Sequence, residues 1–77
     1  VSEYGKLAAK VEHAELLIVA AALTQPEKWW PADELRAAAG VRGEVAMIAM
    51  TRLANAEVDG RLELDDHLRV RICGGAS

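Results

Sequence analysis

Apolar residues in this chain recur with a helical period as far as Gly60 and alternate with charged residues beyond it. That change of period restricts the fold to helices followed by a small antiparallel sheet. Arg61-Leu62-Glu63-Leu64 and Leu68-Arg69-Val70-Arg71-Ile72 read as two strands of a hairpin. If Leu62, Leu64, Leu68, Val70 and Ile72 share one face, Leu64 pairs with Leu68 and Leu62 with Val70. A three-residue loop, Asp65-Asp66-His67, satisfies that register, whereas a two-residue turn would put leucines on the wrong face. The same register sets Glu63 opposite Arg69, a neutralising pair. It also sets Arg61 opposite Arg71, where like charges disfavour the hairpin unless an anion or solvent separates them.

The helical part divides at its prolines and glycines. Ser2 is placed to cap a first helix whose seam is Tyr4, Leu7, Val11, Ala14 and Ile18. From Leu16 to Leu23 that helix is apolar all round, so this segment is expected to be buried on every side. Residues 1–13 then form an amphipathic lead to a core segment. Pro26 disfavours helical geometry at Gln25 and ends the helix near Thr24. Pro31 opens a short second helix, Pro31 to Ala39, with Asp33 and Glu34 at its positive end and Gly40 as a left-handed stop. Val41 and Arg42 make the turn into a third helix, Gly43 to about Asp59, with Ala46, Ala49, Met50, Leu53 and Ala56 as its buried stripe.

The 77-residue chain is near the lower size limit for one self-sufficient core, and residues 1–77 are read as one domain with a frayed tail at 73–77. Apolar residues make up 52%, which excludes a disordered chain. Fifteen of them are Ala and none is Phe, so the core rests on Leu, Val, Ile and two Trp. A core that small favours self-association. The single cysteine, Cys73, excludes an internal disulfide, and the apolar run 16–23 is too short to cross a bilayer. A cytoplasmic protein is expected. The net charge is −3, and neither half of the chain is basic, which weighs against a protein held to nucleic acid mainly through phosphates.

The stretch Ala32-Asp-Glu-Leu-Arg-Ala-Ala-Ala-Gly-Val41, followed by Arg52-Leu-Ala-Asn-Ala-Glu-Val-Asp-Gly-Arg-Leu62, resembles the pattern of winged helix-turn-helix proteins across roughly residues 14–72. The resemblance implies a mainly α fold of three helices closed by a two-stranded wing, with Leu35, Val41 and Leu53 in the helix-turn-helix core. It implies that helix three enters a DNA major groove while the wing touches adjacent backbone. The candidate DNA contacts are then Arg42, Thr51, Arg52 and Asn55 on helix three, and Arg61, Arg69 and Arg71 on the wing. Arg and Asn suit guanine and adenine edges, and Thr51 suits a phosphate or a thymine methyl. The implied function is a small transcriptional regulator that binds double-stranded DNA as a homodimer.

Glu44, Met47 and Ile48 depart from that pattern, and no lysine follows Lys28. The alternative is a protein-binding winged helix, an inhibitor or a dimerisation module, that does not contact DNA. Its candidate contacts are Tyr4, Leu7 and Val11 on the lead of helix one, Trp29 before helix two, and Met47 and Ile48 on helix three. One of the Trp29-Trp30 pair is expected to cover the open end of the core and the other to be partly exposed. His13 with Glu12 and Glu15, and Asp65-Asp66-His67, offer at most partial ligand sets, and a solvated face and turn chemistry explain them better. No residue set supports catalysis, and no metal, cofactor or small-molecule substrate is expected.

Overall fold

In a computed structural model of the chain, residues 3–55, 57–58 and 60–72 are described, the side chains of Glu3 and Tyr4 excepted. The expected Ser2 cap, the Tyr4 contact, Ala56 in the buried stripe, Asp59 and the tail from Cys73 lie outside these residues. The elements run α1 (Glu3–Leu23), β1 (Trp30–Pro31), α2 (Ala32–Ala39), α3 (Gly43–Ala54), β2 (Leu62–Leu64) and β3 (Arg69–Ile72). The fold is therefore mainly helical with a small antiparallel sheet, an order consistent with a helix-turn-helix and a wing.

The turn between α2 and α3 depends on Gly40. At φ +75° it adopts the left-handed conformation that costs glycine nothing. Its N–H donates to the carbonyl of Ala37 and the Val41 N–H donates to that of Arg36, which closes α2 with a Schellman motif. The chain can then reverse within residues 40–42 and start α3.

The helices pack around one apolar cluster. Val11, Ala14, Ile18 and Ala22 enter it from α1, Leu35 from α2, and Ala49, Met50 and Leu53 from α3. Trp30, Leu62 and Val70 close it from the sheet. The expected stripe on α3 is buried at Ala46, Ala49, Met50 and Leu53. That helix stops earlier than expected, at Ala54. Asn55 leaves helical geometry at φ −93°, ψ 110°, and its side-chain oxygen accepts the Glu57 N–H at 2.9 Å. This local bond competes with continuation of the helix.

Two expectations about α1 are corrected. Leu16 and Leu23 are more than half exposed and Ala20 is exposed, so the apolar segment is not buried on every side. α2, α3 and β3 pack on α1 from one side, and a chain of this size has no further layer for the other. Conversely Val11, expected as an intermolecular contact, is 5% exposed and belongs to the core.

The sheet has three strands rather than two, in the order β1-β3-β2. Trp30 pairs with Val70 and Pro31 with Arg69. Proline is tolerated there because β1 is an edge strand. Trp30 is buried, as expected of one member of the pair, and Trp29 is half-buried.

The hairpin register also differs. Leu62 pairs with Ile72, Glu63 with Arg71 and Leu64 with Val70. The loop still has three residues, but they are Asp66-His67-Leu68, displaced by one from the expected position. Leu62, Leu64, Val70 and Ile72 keep a common face, while Leu68 leaves it and sits in the loop at φ +60°, 70% exposed. The Arg61–Arg71 opposition is thus absent. Arg71 instead faces Glu63, and a repulsive cross-strand pair gives way to an attractive one.

Leu35 is fully buried on the short α2, beneath α1. Leu35→Ala should cost about 2–5 kcal/mol, a large part of the roughly 4–12 kcal/mol typical of a chain this size. Urea denaturation followed by far-UV circular dichroism checks this, with a marked fall in midpoint expected.

Candidate functional site

The residues expected to read a nucleic acid occupy the outer face of α3 and the hairpin, and most have their polar groups engaged within the protein. Arg52 Nε donates to Glu15 Oε1 at 3.3 Å, across the seam between α3 and α1. The Glu15 side chain is only 8% exposed, so withdrawing the guanidinium would leave a buried carboxylate with less compensation. Thr51 Oγ1 donates to the Met47 carbonyl at 2.9 Å, so its one proton is not free for a phosphate oxygen. Asn55 accepts the Glu57 N–H on the oxygen that a bidentate contact with adenine would need.

The wing arginines are similarly held. Arg69 Nε donates to Asp65 Oδ2 at 2.7 Å. Arg71 Nη2 donates to Glu63 Oε1 at 3.1 Å, and its guanidinium lies 4.3 Å from the centre of the Trp29 ring. This cation–π contact makes Trp29, a candidate contact in the protein-binding alternative, a support for the hairpin. Arg61 also has an interaction partner. Arg42 differs: it is exposed and its side chain makes no hydrogen bond or ion pair among the described residues.

Asp65 organises the hairpin tip. Its Oδ1 accepts the N–H groups of His67 and Arg69, each at 2.8 Å, while Oδ2 holds the Arg69 guanidinium. Partial desolvation alone would raise the Asp65 carboxyl, but the two N–H bonds and the Arg69 guanidinium together outweigh it. They hold the group below its ordinary value of 3.8. The carboxylate is thus committed to turn chemistry, and among the described residues no cluster of three or more His, Cys, Asp or Glu could hold a metal.

The apolar residues present a different picture. Between α2, α3 and the hairpin lies an open cleft of about 660 Å³ whose walls include Pro31, Met47, Met50, Ala54, Leu64 and Leu68. Met47 is 55% exposed, Leu64 53% and Leu68 70%. Thr51, Asn55, His67, Asp33 and Arg36 lie among its polar lining. Of the other candidate contacts, Ile48 is half-buried against the core, and Leu7, at 38% exposed, lines a separate hollow beside Ile48 and Arg52. The structure therefore brings Met47 together with two residues that were not singled out as contacts, Leu64 and Leu68. Both had been assigned to the inward face of the hairpin. For Leu68 the missed signal is Asp65, whose ability to accept N–H groups two and four residues on displaces the loop by one.

No family model matches the chain, and no curated protein or solved structure is found similar to it. Among the described residues no helix is long and apolar enough to cross a membrane.

A carboxylate held below its ordinary value stabilises the turn above that value and ceases to do so as pH falls through the folded value. In an NMR pH titration the amide signals of His67 and Arg69 should move together, with one apparent pKa below 3.8. Asp65→Ala should abolish that transition.

Proposed function

We propose that this chain is a winged-helix module that binds another protein through the cleft between α3 and the hairpin. The observation that carries this reading is the pairing of an exposed apolar cleft with polar groups already bonded within the protein. Met47, Leu64 and Leu68 line a surface where a DNA reader would present donors. Six of the seven expected DNA contacts, Thr51, Arg52, Asn55, Arg61, Arg69 and Arg71, have partners inside the chain. Exposed ion pairs stabilise by only about 0–1 kcal/mol each, so no single one bars a phosphate. Their number matters, because each paired carboxylate offsets the positive charge that a phosphate would meet, on a chain of charge −3. Methionine and leucine walls favour an apolar side chain, with methionine adapting to its shape.

Leu68 supports the same reading. A non-glycine residue in the left-handed region costs about 1–2 kcal/mol, and here it carries a large apolar side chain that adds nothing to the core. Strained backbone positions cluster at binding and active sites, which supports reading Leu68 as a contact residue.

A DNA-binding regulator is the second reading, favoured by Arg42. This exposed guanidinium stands at the start of α3 without a partner among the described residues.

Two measurements separate the readings. At about 50 mM salt, random duplex DNA should leave the protein unbound, whereas affinity that falls steeply with added salt would establish the second reading. Leu68→Gly relieves the left-handed strain but adds about 0.5–1 kcal/mol of chain entropy to the cost of folding, so its urea midpoint should equal or slightly exceed the parent's. The same substitution, and Met47→Gln, should reduce the fluorescence of a hydrophobic dye bound to the native protein. Unchanged dye binding in both variants would remove the cleft from consideration.

A further inference from the structure

The chain has six arginines. Arg52, Arg61, Arg69 and Arg71 have partners inside the protein. The side chains of Arg36 and Arg42 make no hydrogen bond or ion pair among the described residues, and both border the same depression. This second cleft, about 610 Å³, lies at the turn between α2 and α3 and shares Asp33, Arg36 and Met47 with the apolar cleft beside it. The two adjoin along those residues and are read together as a trough, apolar at the hairpin end and lined at the turn end by Arg36, Arg42 and one carboxylate, Asp33.

We infer that this trough takes an acidic–hydrophobic peptide segment, with apolar side chains against Met47, Leu64 and Leu68 and a carboxylate between Arg36 and Arg42. The inference rests on the protein-binding reading and adds the chemistry of the partner. A guanidinium receives a carboxylate through two parallel N–H···O bonds. Arg36 is half-buried on a partly apolar wall, where such a pair is screened less than in open water. The overall charge of −3 would by itself favour a basic partner. The local excess of cations along the trough opposes that expectation, and contact distances decide because screening confines exposed charges to about 8–10 Å. A sugar-phosphate backbone could engage the same arginines but would leave the apolar end of the trough uncovered, so the peptide is the better fit.

The test uses the full chain, labelled with 15N, and three probes at about 50 mM salt. One is a peptide of about 12 residues, some three helical turns, with leucines on one face and glutamates beside them. The second has lysine for every glutamate, and the third is a random DNA duplex. The glutamate peptide should shift the amide signals of Arg36, Arg42, Met47 and Leu68. Arg36→Gln and Arg42→Gln should each weaken it about tenfold, a loss of about 1.4 kcal/mol, with thermal unfolding unchanged. Leu68→Gly should weaken both peptides.

If the lysine peptide binds the same residues equally well and the arginine substitutions have no effect, the charge inference is overturned while the protein-binding reading stands. If neither peptide binds at about 1 mM, or if both shift only signals elsewhere, both are overturned. Salt-sensitive binding of the duplex through Arg42 also overturns both.

Discussion

The carboxylate of Asp65, by accepting the N–H groups of His67 and Arg69, sets the position of the hairpin loop. With Asp65 and Arg69 at the base of the loop, Leu64 falls opposite Val70 and Leu62 opposite Ile72. Val70, 1% exposed, is then held between Leu64 on one side and Trp30 on the other. The central strand thereby fastens the segment between α1 and α2 to the hairpin. Glu63 is brought to Arg71, which in turn lies over Trp29. Leu68 is released from the inward face and presented beside Met47. One side chain–backbone turn thus decides both the closure of the core and the composition of the exposed cleft.

The helices were legible because their signals are local. Gly40 announces the end of α2, and the spacing of Ala46, Ala49, Met50 and Leu53 defines the inward face of α3 without reference to any other element. β1 was not legible. Two residues show no period, and Trp30 is in a strand only because β3 offers it an edge. The register was half legible. Alternation correctly grouped Leu62, Leu64, Val70 and Ile72, but treating all five apolar residues as inward ignored the preference of Asp65 for capping a turn. The exposed side of α1 was misjudged for a different reason. A helix apolar all round is buried only if enough chain exists to surround it, and the described residues place packing on one side of α1 alone.

The candidate site was less legible than the fold because charge type does not reveal charge pairing. In the sequence, Arg42, Arg52, Arg69 and Arg71 are four similar donors. In the structure Arg52 is bound to a buried glutamate 37 positions earlier, and Arg69 and Arg71 answer carboxylates in their own hairpin. Pairs of such separation depend on the register and on how the helices cross, neither of which a residue count contains. The apolar cleft was hidden by the same dependence, since its wall is assembled from α3 and from a loop residue that alternation had placed indoors.

Part of the charge in this protein serves internal fastening, joining α3 to α1 and stabilising the hairpin. Lys28 adds to the fastening, reaching Glu34 on α2 at 3.0 Å while its ammonium lies 4.0 Å from the centre of the Trp30 ring. That contact covers the face of a buried indole whose own N–H has no hydrogen-bond partner among the described residues. A small, alanine-rich core gains more from such clamps than a larger one would, because each also holds apolar surface in place. Cations at the seams of the fold are bound by that requirement. Arg36 and Arg42 are free of it because the α2–α3 turn is closed by backbone bonds from Gly40 and Val41 alone. A turn that needs no side-chain fastening leaves the side chains of both arginines without a hydrogen bond or ion pair among the described residues.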